Sequence, residues 1–240
     1  MAKQPVIKPT LVIVAAQKGG VGKTTTARLL LHWLSESKRQ HAAFDTEHPV
    51  GSLARFYPKV TEVVDITKVA DQARIFDTLA AAREGTVLAV DLKAGLFFDV
   101  LSMMEDLYIF RDAREGNYRL VFLHVLGSSV ESINEIEETM ERFRGAVHVA
   151  VRNVASGANM SRWDQSRTRE RFLAEGGVEI DIPSLDPLAY QAVDDASATF
   201  RDFVDNKDPN GEDQQHSYTL RAYVRRWLLI SMTQLDRLGL

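Results

Sequence analysis

The sequence predicts an α/β fold with a doubly wound, mainly parallel sheet that is flanked by helices. Apolar runs of strand length alternate with segments of helical length along the 240 residues. The first apolar run, 11–16, enters a glycine-rich turn and then a helical segment at 26–34. Acidic residues and glycines follow several of the apolar runs, as expected where carboxyl ends of parallel strands form a ligand site.

The composition is that of an ordinary globular protein, with 45% apolar and 26% charged residues. We expect one domain over residues 1–240, with a C-terminal helix at 217–240. The absence of cysteine excludes disulfides, thiolate metal sites and iron–sulfur clusters. No apolar run approaches the roughly 20 residues of a membrane span, and the N-terminus lacks the apolar core of a signal peptide, so we expect a cytoplasmic protein. A net charge of −4 gives no overall attraction for nucleic acid.

The turn after the first strand has the composition of a phosphate-binding loop. Residues 17–25 read QKGGVGKTT, between a strand and a helix. Glycines allow the backbone N–H groups to curl round a polyphosphate, and the helix start adds partial positive charge. Lys23 is predicted to reach the β- and γ-phosphates, and the Thr24 hydroxyl to hold Mg²⁺. The predicted nucleotide-binding set in this loop is Gly19, Gly20, Val21, Gly22, Lys23, Thr24 and Thr25. The alternative is a glycine-rich turn without a ligand.

A second lysine, Lys18, stands directly before the glycines. Lys-Gly-Gly-Val-Gly-Lys-Thr-Thr at 18–25 resembles the deviant loop of the ParA/MinD family of P-loop ATPases. The resemblance implies ATP and Mg²⁺ as cofactors and a homodimer that forms on ATP binding. It also implies a catalytic Lys18 that reaches across the dimer interface to the phosphates of the partner's nucleotide.

The predicted second strand, 41–45, ends on Asp45, and Glu47 follows it. The resembling family has an Asp-x-Asp-Pro first switch here, which implies that Asp45 supports the magnesium shell and that Glu47 replaces the Asp that orients water. Glutamate is one methylene longer, so its carboxylate moves by about 1 Å, and such an error can cost ~100-fold in rate. We therefore expect slow hydrolysis. The alternative for both acids is a solvated strand end.

A strand end at 65–68, a helix at 69–83 and a buried strand at 86–91 are predicted next. The last closes on Asp91, which resembles a Walker B acid that binds Mg²⁺ through water. By the same resemblance, Gly95 supplies the second-switch amide that senses the γ-phosphate. Lys93 departs from the family pattern, which has proline.

A helix at 97–109 and a strand at 118–125 follow, and then a helix at 130–143 whose glutamates are expected to form a solvated face. The resemblance implies that Asn153, at the end of the strand 145–153, contacts the adenine edge. An amide has both the donor and the acceptor that this edge needs. The alternative is an Asn that only ends the strand. The last strand, 178–183, leads to Pro183, in the loop that flanks the base in the family.

Two further segments could contact a partner. The basic stretch 161–171 is a candidate patch for non-specific DNA, although acidic neighbours favour a solvated face. The C-terminal segment 218–238 combines apolar residues with arginines, and we expect it to pack on the protein rather than on a membrane.

These expectations describe an ATP-dependent, dimerising ParA-like ATPase with slow hydrolysis. It would act in plasmid or DNA partition, positioning or conjugative transfer, with a partner or adaptor protein. One alternative is a nucleotide-binding scaffold with little turnover. The other is a small-molecule ATP-dependent ligase of the same fold, which would leave Lys18 and Asp45 without a purpose.

Overall fold

A computed structural model describes residues 7–154 and 159–240 of the chain. The prediction that the N-terminus lacks a signal peptide concerned residues 1–5, which lie outside this range. The described strands form one parallel sheet in the order β3-β2-β4-β1-β5-β6-β7. Their bounds are β1 Thr10–Ala15, β2 His41–Asp45, β3 Thr61–Val63, β4 Val87–Asp91, β5 Arg119–Val125, β6 Val147–Asn153 and β7 Val178–Ile182. The predicted fold class is confirmed.

Helices cover both faces of the sheet, which is why the central strands are mostly apolar rather than alternating. One face carries α1, α8, α9 and α10, and the other carries α2 to α7. Their bounds are α1 Lys23–Glu36, α2 Val69–Ala80, α3 Phe97–Asp106, α4 Ile109–Arg114, α5 Val130–Arg142, α6 Ser161–Asp164, α7 Arg167–Ala174, α8 Pro187–Asp195, α9 Phe200–Val204 and α10 Tyr218–Leu235.

The strand register brings the predicted acids together at one edge of the sheet. Val14 of β1 pairs with Asp91 of β4, and Asp91 in turn pairs with Asp45 of β2. All three strands run in the same direction, so both acids lie at the carboxyl edge beside the loop that leaves β1. The geometry agrees with the general position of ligand sites in open parallel sheets.

Two predicted elements differ from the observed ones. The single helix expected over 97–109 is two helices, because Tyr108 adopts a left-handed conformation with φ 57° between α3 and α4. The third strand ends at Val63 rather than at 65–68, because β2, its one neighbour among the described strands, ends at Asp45, which pairs with Val63.

A buried arginine ties α1 to α8. Arg28 of α1 is 1% exposed, and its guanidinium carbon lies 3.4 Å from the ring centroid of Phe56 and 4.5 Å from that of Phe200. Its charge is paired with Asp194 of α8 at 3.1 Å, and Asp194 also accepts from Arg55 at 2.9 Å. The segment that follows Asp45 and Glu47 is thereby connected to α8.

The C-terminal helix α10 packs on the protein, as expected. Val224, Trp227, Leu228 and Leu235 are buried against the face that carries α1 and α8. Within the described residues, no helix has the length and apolar character needed to cross a membrane.

Candidate functional site

The loop between β1 and α1 is shaped by glycine and by a contact from β6. Gly22 precedes the first residue of α1 with φ 101°, a conformation that side chains rarely adopt. A Cβ at Gly22 would overlap the side-chain amide of Asn153, whose Nδ2 donates to the carbonyl of Val21 at 2.8 Å. Asn153 therefore touches the loop from the end of its strand, at the edge of the cavity described below.

The two lysines of the loop have different environments. The Lys23 ammonium is buried inside the loop and donates to the carbonyl of Lys18 at 2.9 Å. Burial lowers the Lys23 pKa, and the nearby carboxylates of Asp91, Glu135 and Glu47 oppose that change. The side chain of Lys18 is exposed. One lysine is thus placed for a ligand in the loop, and the other faces outward.

Asp91 and Thr24 form a site that fits Mg²⁺. The Thr24 side chain lies close enough to the Asp91 carboxylate to lower its pKa, and Asp91 Oδ1 is buried without a partner among the described residues. Burial is the larger effect and raises the Asp91 pKa to about 7. Hydroxyl and carboxylate oxygens are the ligands that Mg²⁺ takes in nucleotide sites. A buried carboxylate oxygen of this kind is suited to hold a cation.

Asp45 anchors the segment that follows it. Its Oδ1 accepts from the backbone N–H of Glu47 at 2.9 Å, and its Oδ2 accepts from those of Leu53 at 2.6 Å and Ala54 at 3.1 Å. Three amides occupy both oxygens, so Asp45 holds this segment in place. Glu47 is half-buried, and its carboxylate accepts a hydrogen bond from the Ser52 hydroxyl.

Gln17 links the loop to the segment around Gly95, a connection that the sequence analysis missed. The Gly95 N–H donates to the carbonyl of Gln17 at 3.0 Å. The Gln17 side chain accepts from the N–H of Phe97, the first residue of α3, at 3.3 Å and donates to the Gly95 carbonyl at 3.4 Å. In this structure the Gly95 amide, the predicted γ-phosphate sensor, is therefore bonded to the loop.

The expectation of a solvated glutamate face on α5 is wrong for Glu135. Its side chain is 5% exposed, and its Oε2 accepts from the backbone N–H of Gln17 at 3.0 Å. Burial raises the Glu135 pKa, and the amide of Gln17 and the charge of Lys23 act in the opposite direction. Helical spacing could have indicated the contact, because Glu135 lies on the same side of α5 as the buried Ser132, Ile136 and Thr139.

A cavity of about 340 Å³ lies on the other side of the loop. Its walls are the loop, the end of β6, the segment after β7, and helices α8 and α10; the lining residues are Gly20, Gly22, Thr25, Asn153, Ser184, Leu185, Pro187, Tyr190, Gln191 and Trp227. The hydroxyls of Thr25 and Tyr190 are hydrogen-bonded at 2.8 Å. Pro183 does not line the cavity: its carbonyl accepts from the Trp227 indole N–H at 2.7 Å. The cavity is adjacent to the phosphate loop, where the base of a nucleotide would lie.

The basic stretch 161–171 is largely occupied by internal contacts. Arg169 makes two hydrogen bonds to Glu179 at 2.8 Å, and Arg171 pairs with Glu141 at 2.9 Å. Trp163 is 2% exposed and also donates to Glu179. Among the described residues, Arg162 and Arg167 make no ion pair. The stretch is therefore mostly a solvated and self-paired surface, as favoured from its composition.

In this parallel sheet, the first strand leads through the glycine loop into a helix, and the neighbouring strand ends on an acid. This arrangement defines a P-loop nucleotide-binding protein. A family model described as CbiA: CobQ/CobB/MinD/ParA nucleotide binding domain matches residues 12–196. The chain belongs to this family, and the resemblance to ParA/MinD proteins is confirmed. A search of curated protein sequences gave no match.

Several solved structures resemble the chain at low sequence identity. A nucleotide-binding protein from Archaeoglobus fulgidus in complex with ADP is 16% identical, with a TM-score of 0.48; the match covers 75% of this chain and 84% of that one. The MinC:MinD cell division protein complex of Aquifex aeolicus is 15% identical, with a TM-score of 0.49, and the match covers 91% of this chain and 94% of that one. MinD from Aquifex aeolicus is 13% identical, with a TM-score of 0.47, and the match covers 91% of this chain and 95% of that one.

Proposed function

We propose that the protein is an ATP- and Mg²⁺-dependent ATPase that dimerises when it binds ATP and hydrolyses it slowly. The observation that carries the proposal is the different burial of two lysines in one loop. Lys23 is buried with its ammonium inside the loop, and Lys18 is exposed beside it. A single-subunit site needs only the first, whereas the second is suited to phosphates that another subunit holds.

Each residue of the site has a role that its contacts support. Lys23 neutralises phosphate charge, and the amides of residues 19–25 surround the phosphates. Thr24 and Asp91 hold Mg²⁺, which, when bound, supplies charge neutralisation for the transferred phosphoryl group. Asp45 keeps the first-switch segment in place through its three amide contacts. Glu47 orients the attacking water.

Slow turnover follows from the contacts of Glu47. Its carboxylate is hydrogen-bonded to the hydroxyl of Ser52, so one of its oxygens is partly committed before any water binds. The same contact favours a second candidate function, a nucleotide-binding scaffold that dimerises on ATP with little turnover. Phosphate release with ATP alone separates the two: a slow but stoichiometric release supports the ATPase, and none over many hours supports the scaffold.

The mass of the protein in solution tests dimerisation. Wild type, Lys18→Ala and Lys59→Ala would each be measured with ADP, ATP and a non-hydrolysable ATP analogue. Lys59 is an exposed lysine that precedes β3, at the opposite edge of the sheet, and serves as the matched control. We expect dimers of wild type and Lys59→Ala with triphosphates only, and monomers of Lys18→Ala. Equal dimerisation of Lys18→Ala contradicts the role of Lys18. Monomers throughout, with ATP bound, favour an enzyme that processes a small molecule.

We further propose that the dimer acts in plasmid or DNA partition, positioning or conjugative transfer, in the cytoplasm and with an adaptor protein. Membership of a family that includes ParA and MinD supports this assignment. Candidate DNA contacts are Arg162 and Arg167, together with Arg225 and Arg226 on the exposed side of α10. ATP-dependent and salt-sensitive binding of random duplex DNA would support it, because phosphate contacts release counterions. Binding that is equal with ADP and ATP would contradict it.

A further inference from the structure

The C-terminal helix α10 supplies one wall of the cavity next to the phosphate loop. Trp227 is the α10 residue in that wall, and it is 3% exposed. We propose that Trp227 is a positioning residue for nucleotide-base binding: its indole N–H holds the segment 183–186 in the shape that forms the cavity. The proposal rests on the proposed function, since it requires the phosphates to occupy the loop.

The segment 183–186 is held at its two ends by two different side chains. At the first end, the Trp227 indole Nε1 donates to the carbonyl of Pro183 at 2.7 Å. At the second end, the Asp186 carboxylate accepts from the N–H groups of Leu188 and Ala189 and caps α8. Between them, Ser184 and Leu185 line the cavity. The position of the lining residues therefore depends on a bond from a helix that lies outside residues 12–196, the matched part of the chain.

The indole itself is immobilised from behind. The Trp227 ring packs edge-on against Phe200 of α9, with ring centroids 5.1 Å apart. Phe200 is fully buried and also contacts the Arg28 guanidinium. The Trp227 ring packs against Phe200, and its N–H donates to a backbone carbonyl. These two contacts make the ring a rigid support for a binding surface.

The polar groups that line the cavity suit a neutral heterocyclic base. They come from Thr25, Asn153, Ser184, Tyr190 and Gln191, and the described residues that line the cavity include no charged side chain. The phosphates, by contrast, would meet the loop and Lys23. Binding of the base and binding of the phosphates therefore depend on different parts of the protein, and only the base should depend on Trp227.

Calorimetric titration with MgATP and with tripolyphosphate tests this separation. Trp227→Phe keeps an aromatic ring but removes the N–H. Trp33→Phe is the matched control. It also removes an indole hydrogen bond, the one from Trp33 Nε1 to Asp236 at 2.8 Å, but Trp33 does not line the cavity. We expect Trp227→Phe to weaken MgATP about tenfold, which corresponds to about 1.4 kcal/mol, and to leave tripolyphosphate unchanged. Trp33→Phe should change neither affinity.

An unchanged ratio of MgATP to tripolyphosphate affinity in Trp227→Phe overturns the inference, while MgATP binding by wild type leaves the proposed function standing. If wild type binds neither ligand, the proposed function fails and the inference fails with it.

Hydrogen exchange on wild type is independent of any variant's folding. By linkage, a ligand that needs α10 in place must stabilise it. MgADP should therefore slow exchange in 224–231 more than tripolyphosphate does at saturation. Equal protection by both ligands overturns the inference.

Discussion

Replacing Asp91 by Asn should stabilise the protein when neither metal nor nucleotide is present. Asp91 is buried beside Asp45, one of its oxygens has no partner among the described residues, and its pKa is raised from 3.8 to about 7. Between these two pH values the folded protein binds a proton that the unfolded chain does not bind. The free energy of unfolding therefore falls as the pH rises through this window.

The magnitude follows from the two pKa values. The difference between 3.8 and about 7 corresponds to at most about 4 kcal/mol of unfolding free energy lost by neutral pH. Asn has nearly the same shape and carries no charge, so Asp91→Asn avoids this loss. We expect the variant to be more stable than wild type by about 1–4 kcal/mol near pH 8 and by much less near pH 4.

Urea unfolding in the presence of a chelator measures this difference at several pH values. Subtracting the variant from wild type at each pH cancels the titration of the other groups. Asp77→Asn is the matched control, because Asp77 is an exposed acid on α2. A constant difference between Asp91→Asn and wild type across the pH range would refute the reasoning. The same variant should lose the Mg²⁺ dependence of nucleotide binding, so that stability is gained where function is lost.

Three further substitutions test the packing around the site. Gly22→Ala should cost about 1–3 kcal/mol of unfolding free energy and abolish nucleotide binding, because φ 101° is strained for alanine and its Cβ meets the asparagine of β6; calorimetry and urea unfolding measure both. Glu135→Ala should cost about 1–3 kcal/mol, since it leaves the half-buried N–H of Gln17 without its acceptor, whereas Glu135→Gln keeps an acceptor and should cost less; equal losses in urea unfolding would contradict this contact. Asp194→Asn should cost about 1–3 kcal/mol of unfolding free energy, because the charge of the buried Arg28 loses its partner. The partial exposure of Asp194 makes this cost smaller than for a fully buried pair. A cost below that of an exposed Asp→Asn control would contradict the prediction.

Local patterns were sufficient for the elements and for the phosphate loop. Apolar runs marked the central strands β1, β4, β5 and β6, because strands covered on both faces have few polar positions. The motif at 17–25 identified the loop, because a tight strand-to-helix turn around phosphate needs glycines and lysine at fixed spacing. The cap of α8 is likewise a local feature, since Asp186 directly precedes Pro187 and accepts from the N–H groups of Leu188 and Ala189.

Contacts between distant segments needed the tertiary structure. Glu135 looks like its neighbours on a glutamate-rich helix, and only the packing of α5 against the loop places it on the N–H of Gln17. Nothing near Trp227 in sequence indicates a bond to Pro183, 44 positions away.

The sequence by itself determined the fold class, the family and the residues of the phosphate loop, because these depend on short-range periodicity and on a contiguous motif. The tertiary structure decided which side chains support that loop. Asp45 and Asp91 become neighbours only through the register of β2 and β4, and Gln17 meets Gly95 only because the two loops leave adjacent strands. Long-range contacts of this kind depend on the packed arrangement of the whole sheet, which no local pattern encodes.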